Sequence, residues 1–158
     1  EIKVLTNDKA GPAGRSGWFV INKDLITNNP NYIDEWQVVV SSAHPGGQEG
    51  RDNQISIIDN HSAFGRARVA LKSFKTEQEA QNFFKYANCT LVKYAFLLSH
   101  ESLSSLAKFV PDLVDYTNNN AIIDLSKTTV EINRQLYDKC NLTEEEISFI
   151  ESMIKPME

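Results

Sequence analysis

The hydrophobic periodicity of this chain changes near residue 76, and the change restricts which folds it can adopt. Before that point, apolar residues form four short runs rich in Val, Ile, Phe and Trp, a pattern typical of β-strands. The runs cover residues 17–22, 35–42, 54–60 and 68–75, and turn-forming residues separate them at 28–32, 44–53 and 60–65. After residue 76, apolar residues recur three and four positions apart, which predicts helices that each bury one face.

Capping residues mark where these helices begin. Thr76 and Glu79 have the spacing of a capping box, in which a hydroxyl and a carboxylate satisfy the first free amides of a helix. The helix that starts there is the longest and is predicted over Thr76–Ser99. Thr143 and Glu146 form a second capping box near the end of the chain. Further helices are predicted over residues 101–110, 128–140 and 141–155.

These elements predict an α+β fold. A twisted, mainly antiparallel sheet formed by residues 17–75 packs against the long helix, and a small helical extension follows. We expect residues 1–100 to form one domain and residues 101–158 to pack on it as the extension. The sequence has no signal-peptide pattern and no apolar run that would span a membrane, so we expect a cytoplasmic protein with reduced Cys89 and Cys140. It does not begin with Met, which suggests a domain excised from a longer protein, although processing or disorder at the N-terminus would explain it equally well.

Charge is distributed unevenly along the chain. The formal net charge is -5, but residues 112–158 hold ten acidic and four basic residues, whereas residues 1–111 hold eleven acidic and twelve basic residues. Between Asn60 and Lys75 there are four Lys and Arg residues and no acidic residue. A locally basic face is compatible with a partner that carries phosphates, and acidic helices are compatible with docking to a partner subunit.

The sequence lacks the residue patterns of common catalytic and cofactor sites. Its three histidines, His44, His61 and His100, are far apart, and no cysteine or carboxylate pattern has metal-ligand spacing. The glycines of residues 11–17 do not have the spacing of a phosphate-binding loop, and no serine lies in a nucleophile elbow. We therefore expect no metal, no cofactor and no catalytic residue in this chain.

Residues 44–54, HPGGQEGRDNQ, lie between two predicted strands and contain no apolar side chain except the proline. One interpretation is a solvent-exposed connection that needs only its glycines to turn. The other is a base-recognition loop, because amide side chains pair with adenine in the major groove and arginine pairs with guanine. The base-recognition candidates are His44, Gln48, Arg51, Asn53 and Gln54, with His61 as a further candidate outside the loop.

The basic residues that follow are candidates for contacts with DNA phosphates. They are Arg66, Arg68, Lys72 and Lys75. Strict alternation over residues 68–75 predicts that Arg68 and Lys72 share one strand face with Ala70 and Phe74. Such a face would neutralise phosphates and fix the position of the protein on DNA, whereas the loop would supply specificity.

Three later segments occur in a recognisable order. The first is SFKTEQEAQN, whose matching residues are Phe74, Thr76, Glu79, Ala80 and Asn82. The second comprises Thr90 and Lys93 within the long helix, and then Val110–Pro111. The third is LYDKCNLTEEEISFIE, whose matching residues are Leu136, Tyr137, Lys139, Leu142, Thr143, Glu146, Ile147, Ile150 and Glu151. In this order and spacing, residues 70–158 resemble the C-terminal target-recognition region of adenine-specific DNA methyltransferases of bacterial restriction–modification systems, including fused restriction–methylation enzymes.

The resemblance implies a division of labour with a domain that is absent from this chain. Catalysis and S-adenosylmethionine binding would belong to a methyltransferase domain, and this chain would be non-catalytic and recognise double-stranded DNA. Its partners would be DNA and the methyltransferase domain of the parent chain, with residues 1–69 as the variable, sequence-recognising part. Cys140 stands where the family has Tyr, and Leu91 and Val92 follow Thr90 where the family helix is more basic. The alternative function is a protein-interaction module that docks a partner subunit through its acidic helices.

Overall fold

A computed structural model describes residues 1–6, 17–41, 55–65, 68–99 and 111–154 of the chain. The strands are β1 (Ile2–Thr6), β2 (Gly17–Ile21), β3 (Trp36–Ser41), β4 (Ser56–Ile58), β5 (Ser62–Phe64) and β6 (Arg68–Phe74). The helices are α1 (Glu77–Ala87), α2 (Thr90–Ser99), α3 (Thr129–Lys139) and α4 (Glu144–Met153), and two short 3-10 helices cover Lys23–Leu25 and Pro30–Asp34. Strands precede helices, which confirms the α+β fold class. No helix within these ranges is both long and apolar enough to span a membrane.

The strands form two three-stranded sheets, which corrects the single sheet that the sequence predicts for residues 17–75. Sheet A has the order β2-β1-β5, with β1 antiparallel to β2 and parallel to β5. Sheet B has the order β4-β3-β6 and is antiparallel throughout. The sequence does not predict β1, and it predicts a turn over residues 60–65, where β5 lies. Three-residue strands such as β5 are too short for a period-2 pattern, and pairing with β1 defines this one.

A β-bulge interrupts the alternation of side chains in β6. Where β3 pairs with β6, Val38 lies opposite Lys72, but the next residue, Val39, lies opposite Ala70. Leu71 is therefore an extra residue on β6 without a partner position on β3. A bulge of this kind shifts the alternation by one residue, so the side chains before and after it no longer follow one period of two.

The bulge places the two basic residues of β6 on opposite faces of sheet B. Lys72 shares the side of its partner Val38, which belongs to the main core beneath the helices. Val69 shares that side too, through its partner Val40, so its neighbour Arg68 points to the opposite side. The prediction that Arg68 and Lys72 share one basic face is therefore wrong, because strand alternation continues only where no bulge occurs.

The helix predicted over Thr76–Ser99 is in fact two helices, α1 and α2, separated by a short break. At the end of α1, Nδ2 of Asn88 donates to the carbonyl oxygen of Phe84 at 2.9 Å, a local bond that favours termination. In the first turn of α2, the amide of Leu91 donates to Oδ1 of Asn133 at 3.0 Å. A side chain of α3 thus caps α2, and this tertiary contact leaves no trace in the hydrophobic periodicity.

Threonine side chains cap the N-termini of three helices, α1, α3 and α4. Thr76 Oγ1 accepts from the amide of Glu79 at 3.3 Å, and the Glu79 carboxylate accepts from the Thr76 hydroxyl at 2.7 Å. The predicted capping box of α4 is confirmed: the amide of Thr143 donates to Glu146 Oε2 at 2.8 Å, and the amide of Glu146 donates to Thr143 Oγ1 at 3.2 Å. A further capping box, at α3, comprises Thr128 and Glu131.

The main core lies between sheet B and the helices. Its buried members include Val38 and Phe74 from the sheet, Phe83 and Tyr86 from α1, Tyr116, Ile123 and Leu125 from the segment before α3, and Ile132 from α3. The rings of Phe74, Phe83 and Tyr116 have centroids 5.0–5.7 Å apart. Residues on both sides of the predicted boundary at residue 100 therefore share one core, and the position of a domain boundary stays a prediction.

A smaller core lies beneath sheet A. Ile2, Val4 and Ala63 of the sheet pack with Ile33 of the second 3-10 helix. Ile33 is buried, and its helix occupies part of the segment where the sequence predicts a turn over residues 28–32. The outer face of sheet A is left to Trp18 and its neighbours, because the alternation of β1 and β2 turns those side chains away from this core.

Candidate nucleic-acid interface

The described residues include three of the four predicted phosphate contacts: Arg68, Lys72 and Lys75. Six candidates lie outside the described residues: His44, Gln48, Arg51, Asn53, Gln54 and Arg66. His61 is exposed in the turn between β4 and β5, and its amide donates to Oδ1 of Asp59 at 3.0 Å. The candidate interface is therefore built from the strands that hold these segments and from the side chains around Arg68.

One end of sheet B joins the two segments that hold the remaining candidates. β3 ends at Ser41, directly before residues 42–54, and Ser41 pairs with Arg68 at the start of β6. The amide of Arg68 donates to the carbonyl oxygen of Gly65 at 3.0 Å, so the two residues that flank 66–67 are hydrogen-bonded to each other. Antiparallel pairing of β4 with β3 returns the chain to the same end of the sheet. We call this end, where β3 ends and β4 and β6 begin, the loop end.

Lys72 lies away from the loop end and is held by an anion and an aromatic ring. Its Nζ is 2.6 Å from Oδ2 of Asp112 and 5.2 Å from the centroid of the Tyr116 ring. Burial alone would raise the pKa of Asp112, but hydrogen bonds from Lys72, the Tyr116 hydroxyl and the amide of Val114 lower the pKa below its usual value. The ammonium of Lys72 therefore ties sheet B to the segment after residue 111.

Lys75 lies beyond the opposite end of β6. Its Nζ is 2.5 Å from Oε1 of Glu35, and this hydrogen bond, with the attraction of the carboxylate, raises the pKa of Lys75. Seven residue steps separate it from Arg68, which in an extended strand corresponds to roughly 20 Å. Lys72 and Lys75 thus each have a carboxylate partner, and Arg68 is the described candidate that lies at the loop end.

A cleft of about 770 Å³ opens on the side of sheet B that Arg68 faces, and we call it the Arg68 cleft. Gln37 of β3 and the β6 residues from Arg68 to Ser73, Lys72 among them, form one wall, and residues between 25 and 33 together with 63–65 form the other. Gln37 is buried, and its Nε2 donates to the carbonyl oxygen of Tyr32 at 3.1 Å. The cleft therefore combines a guanidinium with fixed amide and backbone polar groups.

Two exposed asparagines that the sequence did not predict as binding residues line the Arg68 cleft. Asn28 and Asn29 precede Pro30 in a segment that the sequence predicts only as a turn. Asn29 adopts the left-handed conformation with φ 49°, which asparagine tolerates better than most residues. The sequence signal that could have identified them is a pair of amide side chains directly before Pro30. The proline restrains the backbone there, and amides in a restrained segment are suitable for hydrogen bonding to bases.

The reactive groups within the described ranges are few. No cluster of three or more histidines, cysteines and carboxylates suited to a metal occurs among the described residues. Burial raises the pKa of the Cys89 thiol to about 12, so this cysteine is protonated at neutral pH and is a poor nucleophile. At the loop end and in the Arg68 cleft, the chemistry that the described side chains offer is hydrogen bonding and positive charge.

Comparison of the chain with models of protein families, with curated proteins and with solved structures finds no match.

Proposed function

We propose that this chain recognises double-stranded DNA as the target-recognition part of a restriction–modification adenine methyltransferase or fused restriction–methylation enzyme. The observation that carries the proposal is the topology of sheet B. It brings Arg68 and the ends of residues 42–54 and 66–67 to one end of a single sheet. A polar loop anchored on a rigid sheet beside basic residues is a suitable arrangement for contacts with base edges and phosphates.

In the proposed complex, the loop end faces the DNA. Gln48, Arg51, Asn53 and Gln54 recognise base edges, with His44 as a further contact, and Arg66 and Arg68 bind phosphates. The other two phosphate candidates, Lys72 and Lys75, already contact carboxylates in the structure. Lys72 and Lys75 would have to exchange their carboxylate partners for phosphates, so we assign them a smaller part in DNA binding.

Catalysis lies outside this chain in the proposed enzyme. S-adenosylmethionine would bind to a methyltransferase domain, which would also flip the adenine out of the duplex. The present chain would hold the enzyme on its target sequence. Its affinity by itself should be weak and dependent on salt, because few phosphates are neutralised.

The test compares two variants that each remove one positive charge: Arg68→Ala at the start of β6 and Lys75→Ala directly after its end. Fluorescence anisotropy would measure binding of the whole chain to a labelled random-sequence duplex between 50 and 200 mM salt. We expect Arg68→Ala to weaken binding about three- to tenfold and to reduce the salt slope by about one. Lys75→Ala, the matched control, should change affinity less than twofold because Lys75 lies at the far end of the strand and is paired with Glu35.

A second measurement separates base recognition from phosphate binding. Sequencing of duplexes that the chain selects from a random pool should show a preferred sequence, and Arg51→Ala should relax the preference at one position. Arg68→Ala should leave the preferred sequence intact. Equal losses for Arg68→Ala and Lys75→Ala, or binding that does not respond to salt, would contradict the proposed interface.

The alternative function, docking of a partner subunit through the acidic helices, also has an observation in its favour. Phe149 and Met153 of α4 are 57% and 49% exposed and lie four residues apart, on one stripe of the helix. Phe149 contacts Tyr94 of α2 edge-on, with ring centroids 6.4 Å apart. If this surface docks a partner subunit, Phe149→Ser should abolish association with that subunit measured by calorimetry, and the chain should show no salt-dependent binding to duplex DNA.

A further inference from the structure

A second cleft, of about 580 Å³, lies between the outer face of sheet A and sheet B. Both tryptophans of the chain line it, Trp18 from β2 and Trp36 from β3, and we call it the Trp cleft. Trp18 is 53% exposed, and Val20 beside it is 62% exposed. Trp36 is half-buried, with part of its surface packed on the main core. Exposed aromatic surface in a concave site of this volume is typical of ligand binding.

Two carboxylates line the same cleft, from Asp59 after β4 and from Glu77 at the start of α1. Oδ1 of Asp59 accepts from the Ser62 hydroxyl at 2.6 Å and from the His61 amide at 3.0 Å. The hydrogen bond from Ser62 is the largest cause that lowers the pKa of Asp59, and burial opposes it. Oε1 of Glu77 accepts from Nε2 of Gln81 at 3.0 Å. None of these bonds uses Oδ2 of Asp59 or Oε2 of Glu77.

The charge of the Trp cleft favours cations. Among the residues that line it, Asp59 and Glu77 are acidic and Lys3 is the basic one. The charge of Lys3 attracts the carboxylate of Asp59 and contributes to its lowered pKa, so Glu77 gives the cleft its excess negative charge. The faces of Trp18 and Trp36 add attraction for cations, because the indole ring is the strongest cation–π partner among the aromatic side chains.

We propose that the Trp cleft binds a guanidinium group, such as the side chain of an arginine in a partner polypeptide. A guanidinium is planar, so it can stack on an indole face, and its fork of N–H donors can bond to a carboxylate such as that of Glu77 or Asp59. A peptide source is favoured because β2, as described, is an edge strand that pairs with β1 alone. An extended segment that adds to β2 would place a side chain over Trp18.

This site is separate from the proposed DNA interface in position and in charge. Its residues come from the outer face of sheet A, the start of β3 and the start of α1, whereas the Arg68 cleft lies on the side of sheet B away from the helices. Variants of the Trp cleft should therefore bind DNA with the same affinity as the unsubstituted chain. Failure of either proposal can be recognised without reference to the other.

The test follows the two indole N–H signals in a ¹H–¹⁵N NMR spectrum of the whole chain. Three ligands would be titrated: N-acetylarginine amide, its neutral citrulline analogue, and a peptide with one arginine between valines. Because Trp18 and Trp36 line one cleft, we expect both indole signals to shift together and to saturate with N-acetylarginine amide at millimolar concentration. Citrulline should produce no saturable shift, because it has the shape of arginine without its charge.

Glu77→Gln tests whether the guanidinium binds in the Trp cleft, since this substitution keeps the shape of the side chain and removes one charge. It should raise the Kd for N-acetylarginine amide at least fivefold, and Trp18→Ala should do the same. Glu145→Gln, which removes the charge of another exposed glutamate, on α4, should leave the Kd unchanged. Tighter binding of the peptide than of the free amide supports a polypeptide source, and equal binding points to a free guanidinium compound. The proposal fails if arginine and citrulline act alike, if neither binds, or if Glu77→Gln and Glu145→Gln have the same effect.

Discussion

Substitution of Asn82 tests whether the segment after residue 111 is held on α1 by hydrogen bonds. Asn82 is fully buried, and its Nδ2 donates to the Tyr116 carbonyl oxygen and to Asn118 Oδ1, each at 2.8 Å. In Asn82→Ala, the carbonyl of buried Tyr116 loses this donor, which costs about 1–3 kcal/mol. Asn118 is exposed and can bond to water instead, so its loss adds only about 0.5 kcal/mol. We expect a total of about 2–3 kcal/mol.

The measurement is urea unfolding of each variant, followed by tryptophan fluorescence and circular dichroism. In a thermal unfolding experiment on a chain of this length, the same loss of 2–3 kcal/mol would lower the Tm by about 5–10 °C. Asn118→Ala is the matched control, because it removes one of the same bonds from the exposed side and should cost less than about 1 kcal/mol. If Asn82→Ala is no less stable than Asn118→Ala, the buried bond to Tyr116 does not have the role that its geometry indicates.

Two further predictions concern titratable groups. Cys140 is exposed, whereas burial raises the pKa of the Cys89 thiol to about 12, so iodoacetamide at pH 8 should modify Cys140 first and Cys89 only after unfolding, as measured by mass spectrometry. The pKa of Asp112 is lowered in the folded state, so its stabilising effect is complete above its unfolded pKa near 4 and is lost as the pH falls through the folded value. Asp112→Asn should therefore reduce stability at pH 6 and flatten the loss of stability below pH 4 in chemical unfolding experiments; an unchanged pH dependence would contradict the ion pair with Lys72.

Local sequence signals were sufficient for the elements that are defined by their own residues. The apolar run of β3 and the threonine caps of α1 and α4 depend on neighbours within a few positions, and the structure contains all of them. The start of α2 after the break depends in addition on Asn133, which caps it and lies far along the chain from Leu91. The division of the strands between two sheets likewise depends on the parallel pairing of β1 with β5.

The same distinction explains what was predictable at the candidate interface. The sequence shows that Arg68, Lys72 and Lys75 lie on one strand or directly after it, but it does not show the bulge at Leu71, which exists only in the register with β3. It also does not show which cations are paired, because the partners of Lys72 and Lys75 are each 40 residues away. Charge counted along the chain therefore overstates the positive charge that is available to a phosphate.

The positions of these cations lead to a quantitative difference in the expected salt dependence. If Arg66, Arg68, Lys72 and Lys75 all bound phosphates, the slope of log K against log salt would be about -3.6, and affinity would fall about 150-fold between 50 and 200 mM salt. If only the two cations next to the loop end, Arg66 and Arg68, bind phosphates, because Lys72 and Lys75 lie farther along the chain from that end, the slope is about -1.8 and the fall about 12-fold. A measured slope near the larger value would mean that DNA breaks both ion pairs, and Lys75→Ala would then weaken binding as much as Arg68→Ala. A slope near the smaller value, with Lys75→Ala neutral, is the result that the geometry of sheet B predicts.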